Sequence, residues 1–136
     1  LSKMKRTTSQ HLAVCDKNGG AILEYTPTKV IKRAAEQGTC RCTNHFISSE
    51  LKLAQPKNLF TTLDRMASLD ASCKGNHAIG IGEVKQYLNQ VHQNDMTLQS
   101  MIFEPVAGRL HLAMGTGKAP ASAQEYRVLE MRELLR

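Results

Sequence analysis

The stretch "HLAVCDKNGGAILEYTPTKVIKRA", His11 to Ala34, decides how the chain begins to fold. "HLAVCD" is apolar with strand propensity, and "KNGG" (Lys17–Gly20) follows as a turn. Asn18-Gly19 is expected to supply the positive φ values that a tight hairpin requires. "AILEYT" reads as the partner strand. Pro27 punctuates, and "TKVIKRA" alternates like a third strand. Gln10 to Ala34 is therefore predicted to be a β-meander.

Downstream lies "GTCRCTNHFISSE", Gly38 to Glu50. "CRCTN" is short, β-prone and bounded by turn-formers, and predicts a brief strand ending near a buried Asn44. "HFISSELKLAQP" reads as irregular chain. After Pro56 the period changes. Leu59, Leu63, Met66 and Leu69 form one helical stripe, with Asn58 able to cap its start. "CKGNHAIGIG" breaks that helix. A second runs from about Gly82 through Val84, Leu88 and Val91 until "QNDM". "TLQSMIFE" (Thr97–Glu104) then predicts a strand, Pro105–Gly108 a turn and "RLHLAMG" the return. "EYRVLEMRELLR" reads as a helix, or as an edge strand running into a helix. Strands, two helices, then strands make an α+β layered arrangement.

The composition bounds the function. At 136 residues the chain has the size of one domain, and 41% of it is apolar. With three Phe, three Tyr and no Trp, its core must be aliphatic. A net charge of +6 is compatible with nucleic acid. However, the basic residues are scattered beyond "KMKR" (Lys3–Arg6), and the aromatic interleaving of single-strand binders is missing. A basic nucleic-acid-binding domain therefore ranks last among the readings. No stretch approaches the ~20 apolar residues of a membrane span. Four cysteines are too few for a disulfide scaffold, and a cytoplasmic, reducing setting is the default. Leu1 as first residue implies a processed chain or part of a longer one, and a signal ahead of it would change that compartment. Residues 1–9 are expected to be a flexible lead-in.

Four chemistries compete within and around Gly38–Glu50. Cys40, Cys42 and His45, with Cys73 and His77, offer metal ligands, but Cys-x-Cys is tighter than structural zinc spacing. The alternative is that the cysteines are small buried strand residues, and no metal or cofactor is expected. Cys42 as a nucleophile with His45 as base lacks an evident activator. "MGTGKAPAS" (Met114–Ser122) fails as a phosphate loop, because Leu112 stands where Gly is needed and Ala119 where Ser or Thr is needed. Asn44 remains. Its carboxamide carries two donors and does not ionise, so it can stabilise an oxyanion. Equally, it can cap the turn into "HFISS" through a local backbone bond.

"TNHF" (Thr43–Phe46) resembles the signature of the acyl-coenzyme A:isopenicillin N acyltransferase family. These are cysteine N-terminal-nucleophile (Ntn) hydrolases, more distantly related to choloylglycine hydrolases and acid ceramidases. "HLAVCDKNGGAILEYTP" is similar to the family's strand–turn–strand, with its "D-x-x-G" turn and "hE-x-s-P" strand. "MTLQSMIFEPVAGRLHLAMGTGKAPASAQEY" is similar to its closing hairpin. The likeness runs from about Gln10 to Leu135. It implies the C-terminal half of a single αββα-sandwich domain spanning residues 1–136. It also implies hydrolysis or acyl transfer at a linear N-acyl amide bond, with Asn44 in the oxyanion hole and His45 and Phe46 on the substrate side.

The departures matter as much. The nucleophilic cysteine of relatives lies upstream of the matched region. None of Cys15, Cys40, Cys42 or Cys73 takes its place. Some relatives carry an arginine where the first helix begins, and "PKNLF" holds none. The segment alone is therefore expected to be inactive. It should need the upstream half of the domain, or a second chain, or should self-associate through exposed strands. A degenerate, non-catalytic partner-binding module is the alternative.

Overall fold

The computed structural model describes residues 4–75 and 78–134. They form two compact units, 1–74 and 75–136. Together these contain two three-stranded antiparallel sheets and a few helices, an α+β chain.

The first unit opens with the meander: β1 (Gln10–Asp16), β2 (Gly19–Tyr25) and β3 (Val30–Ala34), in that spatial order. Asp16 pairs with Gly19, so the hairpin loop is Lys17–Asn18. This corrects the expected turn chemistry. Gly19 has φ +149°, whereas Asn18 is not among the positive-φ residues. The Asp16 carboxylate instead accepts the main-chain N–H groups of Asn18 and Gly19 at 2.7 and 3.1 Å. An aspartate-closed turn therefore does the work assigned to an Asn-Gly pair. Arg6 ties the preceding segment down, donating from Nε to the Thr26 carbonyl at 2.8 Å.

Register places His11 opposite Glu24, with Ile22 opposite Arg33 on the same face. The segment from Cys40 to Ser48 covers that face. The other face leaves Leu12 and Val14 exposed. "CRCTN" is not a strand. Residues 40–43 have no ladder partner, and the nearest pairing is an isolated Glu36–Thr39 bridge. The segment is held by side chains. Arg33 Nη2 donates to the Arg41 carbonyl at 2.7 Å, and Arg41 Nε pairs with Asp70 at 2.9 Å.

The first helix also starts later than its apolar stripe suggests. Residues Leu59–Thr61 make a 3₁₀ turn, and α1 spans Thr62–Ser72. Asn58 does cap the helix, but across that turn, accepting the Leu63 N–H at 2.8 Å. Phe60 and Thr61 both take left-handed backbone, with φ +53°. For a β-branched residue such as Thr61 that conformation is strained. Met66 is the buried member of the stripe, while Leu59 is exposed.

The second unit holds α2 (Ile81–Gln90), β4 (Gln99–Glu104), β5 (Arg109–Met114), β6 (Arg127–Glu130) and α3 (Met131–Leu134). The closing hairpin forms as expected, with Glu104 paired to Arg109 across the turn. The final segment takes the second of its two expected forms, a strand running into a helix. Gly115 is required by close approach, since a Cβ there would meet the Thr97 carbonyl oxygen at 2.9 Å. Ile102, Leu110, Ala113 and Ala121 form the small apolar core of this unit.

Candidate functional site

The motif "TNHF" sits on the wall of a cavity of about 630 Å³ in the first unit. What fixes it is a threonine cluster. The Thr43 hydroxyl donates to the Thr62 carbonyl at 2.9 Å, and Thr62 Oγ1 accepts the Asn44 N–H at 2.8 Å. Thr62 Oγ1 also lies 2.9 Å from Thr43 Oγ1 and 2.9 Å from His45 Nδ1. A hydroxyl has one proton. Thr62 gives it to one of these neighbours, and the tautomer of His45 decides which. With 1% of its surface exposed, Thr62 has no access to bulk water as a substitute partner. The first residue of α1 thus docks the motif that sequence reasoning placed on a strand.

Asn44 is exposed on the cavity wall, rather than buried at a strand end. Its Oδ1 accepts from Arg65 Nη2. Arginine has only donors, so the oxygen edge of the carboxamide must face it. Arg65 Nε in turn donates to the Phe60 carbonyl at 3.1 Å. One guanidinium therefore links the strained corner to the amide. Burial pulls the Arg65 pKa below its ordinary value, but from so high a starting point that the group stays charged. "PKNLF", where the apolar stripe opens, holds no arginine. Because α1 starts at Thr62, Arg65 falls in its first turn. The Asn58 capping signal points to an earlier start than the helix takes.

Behind the motif lies a buried carboxylate that sequence reasoning missed. Glu24 has 0% exposure. Its oxygens accept from Ile47 N–H at 3.2 Å, Ser48 N–H at 3.1 Å and the Ser48 hydroxyl at 2.6 Å. Arg33 Nε lies 2.7 Å away. Burial pushes this carboxyl upward, but the Ser48 hydroxyl, the two main-chain donors and Arg33 together outweigh it. The net pKa is below the ordinary value. The chain leaving "TNHF" is thereby pinned to β2. The available signal was an acidic residue at an inward position of an otherwise apolar strand.

His11 and Phe46 complete this wall, with ring centroids 4.9 Å apart. His11 Nε2 approaches Glu24 to 3.8 Å. Burial is the largest influence on His11 and lowers its pKa. Glu24 opposes this and Arg33 reinforces it, while His45 acts both ways, its ring charge lowering and its main chain raising the value. His11 is neutral at neutral pH.

His45 and Phe46 line the cavity with Asn44. The cysteines do not join it. None of Cys15, Cys40, Cys42 or Cys73 lines this cavity. Burial raises the Cys42 thiol pKa, which disfavours the thiolate a nucleophile needs. Among the described residues, no three His, Cys, Asp or Glu side chains are grouped to hold a metal ion. His77 lies outside the described residues. Among those residues, no helix is long and apolar enough to cross a membrane. In the second unit, Gly117 has φ +75° in the loop after β5, and only a three-residue 3₁₀ turn, Ala121–Ala123, follows.

No protein-family model matches the chain, and no curated protein matches it.

Proposed function

We propose that this chain supplies the oxyanion-stabilising half of a cysteine Ntn amidohydrolase or acyltransferase acting on linear N-acyl amides. The observation that carries the reading is Asn44, a non-ionising donor held at a cavity wall with its oxygen edge fixed by Arg65. A cysteine thiolate from a partner segment or second chain attacks the amide carbonyl. The oxygen gathers negative charge, and the Asn44 carboxamide N–H donates to it. The C–N bond then breaks, the amine leaves with a proton, and the acyl group stays on sulfur until water or another amine accepts it. Preorganisation is the benefit: a donor already held in place costs no reorganisation when charge develops.

The placement of the four cysteines away from the cavity supports an added nucleophile. The exposed apolar strand residues Leu12, Val14, Met101 and Phe103 support association with such a partner, or with further copies of the chain.

The test supplies an N-terminal cysteine on a companion segment and follows amine release from an N-acyl amino acid. Asn44→Ala should lower kcat by about 10²–10³-fold with little change in KM. Activity within threefold of the unsubstituted protein would reject the oxyanion role.

The second reading, a binding module of the same fold without catalysis, is favoured by the lack of any cysteine in the cavity wall. It predicts that no companion segment confers turnover.

A further inference from the structure

We propose that His45 is the proton acceptor of the cavity wall. Thr43 and Thr62 hold its ring as the Nδ1–H tautomer, and Nε2 keeps a lone pair open to a ligand's O–H or N–H donor or to an attacking water. The inference deepens the proposed function by giving His45 a role, and it rests on that reading only in taking the cavity as the reaction site.

The tautomer follows from a count of protons. Thr43 Oγ1 gives its one proton to the Thr62 carbonyl, which can only accept. The Asn44 N–H is spent on Thr62 Oγ1. Three contacts share what remains. Thr62 Oγ1 lies 2.9 Å from Thr43 Oγ1 and 2.9 Å from His45 Nδ1, and Thr43 Oγ1 lies 3.2 Å from His45 Nδ1. If Thr62 donated to Nδ1, the two hydroxyl oxygens would face each other with no proton between them. Thr43 Oγ1 and Nδ1 would do the same. Beside a buried Thr62, opposed lone pairs have no water to relieve them. If Nδ1 carries a proton, it reaches both hydroxyl oxygens, Thr62 donates to Thr43, and no contact opposes two lone pairs.

The other nitrogen of the ring is open. His45 lines the cavity and is half-buried. Among the described residues its Nε2 has no hydrogen-bond partner. Nor is it sealed from solvent, as the unpartnered His11 Nε2 and His111 Nδ1 are. With Nδ1 protonated, the lone pair of the neutral ring sits on Nε2. Two other histidines are fixed the opposite way. His92 Nδ1 accepts the Asn94 N–H at 2.9 Å, and His111 Nε2 lies 2.6 Å from the Glu104 carboxylate. Both must carry the proton on Nε2 when neutral. The chain therefore contains both tautomers, and His45 at the cavity has the one that leaves its open nitrogen basic.

The test uses the full 136-residue chain. Long-range nitrogen–proton correlation spectra of isotope-labelled histidine are recorded at about pH 9, above the ordinary imidazole range. His45 should show a protonated Nδ1 and a proton-free Nε2, and His92 and His111 the reverse. Thr43→Val removes the oxygen to which Thr62 donates. The Thr62 proton should then turn to Nδ1, moving the His45 tautomer ratio about tenfold toward Nε2–H. Thr43→Ser should match the unsubstituted chain.

Diethyl pyrocarbonate reads the lone pair directly. Nε2 bonds to one carbonyl carbon, ethyl carbonate leaves and decays to ethanol and carbon dioxide, and the Nδ1 proton passes to solvent. Peptide mass spectrometry should find His45 modified about tenfold faster than His92, whose lone pair is held by a main-chain N–H. Thr43→Val should slow His45 by a similar factor. A proton on Nε2 of His45 in the unsubstituted chain would overturn the proposal, whether or not the valine variant folds. So would a tautomer that Thr43→Val leaves unchanged, or modification of His45 no faster than of His92. Neither readout involves turnover, so a failed amide-cleavage assay would leave the tautomer standing. A failed tautomer test would equally leave the Asn44 role to its own assay.

Discussion

Thr62 Oγ1 accepts the main-chain N–H of Asn44 at 2.8 Å, so the first residue of a helix holds a segment 18 residues earlier in the chain. Thr62→Val keeps the shape and removes the hydroxyl. It strands the Asn44 N–H and takes a partner from both Thr43 and His45. A loss of about 1–3 kcal/mol is expected, read from urea denaturation. Thr62→Ser should recover much of it. Hydrogen exchange at the Asn44 amide should accelerate in the valine variant; unchanged protection would show that the clamp lies elsewhere.

Arg65 is a positioning residue in this scheme, touching Asn44 and not the reacting carbonyl. With a nucleophile supplied, Arg65→Met should lower kcat by about 10–10²-fold, since a displaced donor loses most of its effect. KM should move little. An equal loss in binding and turnover would instead point to general unfolding of the site.

Glu24 and His11 predict a two-stage response to acid. The folded-state pKa of His11 lies below its ordinary 6.5, so the unfolded chain takes up a proton that the folded chain resists. Stability should therefore begin to fall as pH drops below about 6.5. The folded-state pKa of Glu24 also lies below its ordinary value, 4.5. Its contribution is complete above that pH and is lost as pH falls through the folded-state value. Denaturation midpoints between pH 8 and 3 should show both stages. His11→Asn should flatten the upper one. Glu24→Gln should cost about 2–3 kcal/mol at neutral pH, because the half-buried Arg33 loses its carboxylate partner. Adding Arg33→Met should restore part of that loss. An additive double variant would mean that the pair is not coupled.

The cysteines should differ in reactivity. Cys15 is exposed, whereas burial holds the Cys42 thiol in its protonated form. Iodoacetamide at neutral pH should label Cys15 well before Cys42, as followed by peptide mass spectrometry. Rapid alkylation of Cys42 would reopen its candidacy as a nucleophile.

The elements legible from sequence were those whose signal is local. The meander, both helices and the closing hairpin rest on periodicity and turn residues, and each appears close to its expected bounds except for the late start of the first helix. Asn44, His45 and Phe46 were found because they are contiguous. The misreadings share a different cause. Residues 40–44 have strand composition, yet their main chain is held at Arg41 by the Arg33 side chain and at Asn44 by the Thr62 side chain rather than by a neighbouring strand. Arg65 was missed because Asn58 advertises a helix start four residues before the helix begins. Glu24 stands out only as an acid on an inward position of an apolar strand, and its partners lie 23 and 24 residues away, on an irregular segment. Side-chain tethers between remote positions leave no period to read.

The paired left-handed residues Phe60 and Thr61 constrain how this chain can change. Their side chains are exposed, so packing places few demands on which residue types stand there. The backbone demand is strict, at a cost of about 1–3 kcal/mol each. Glycine at either position would relieve that cost but would loosen the corner whose carbonyl steadies Arg65. A lineage that drifted toward comfort at this bend would trade a firmly aimed carboxamide for a sturdier fold.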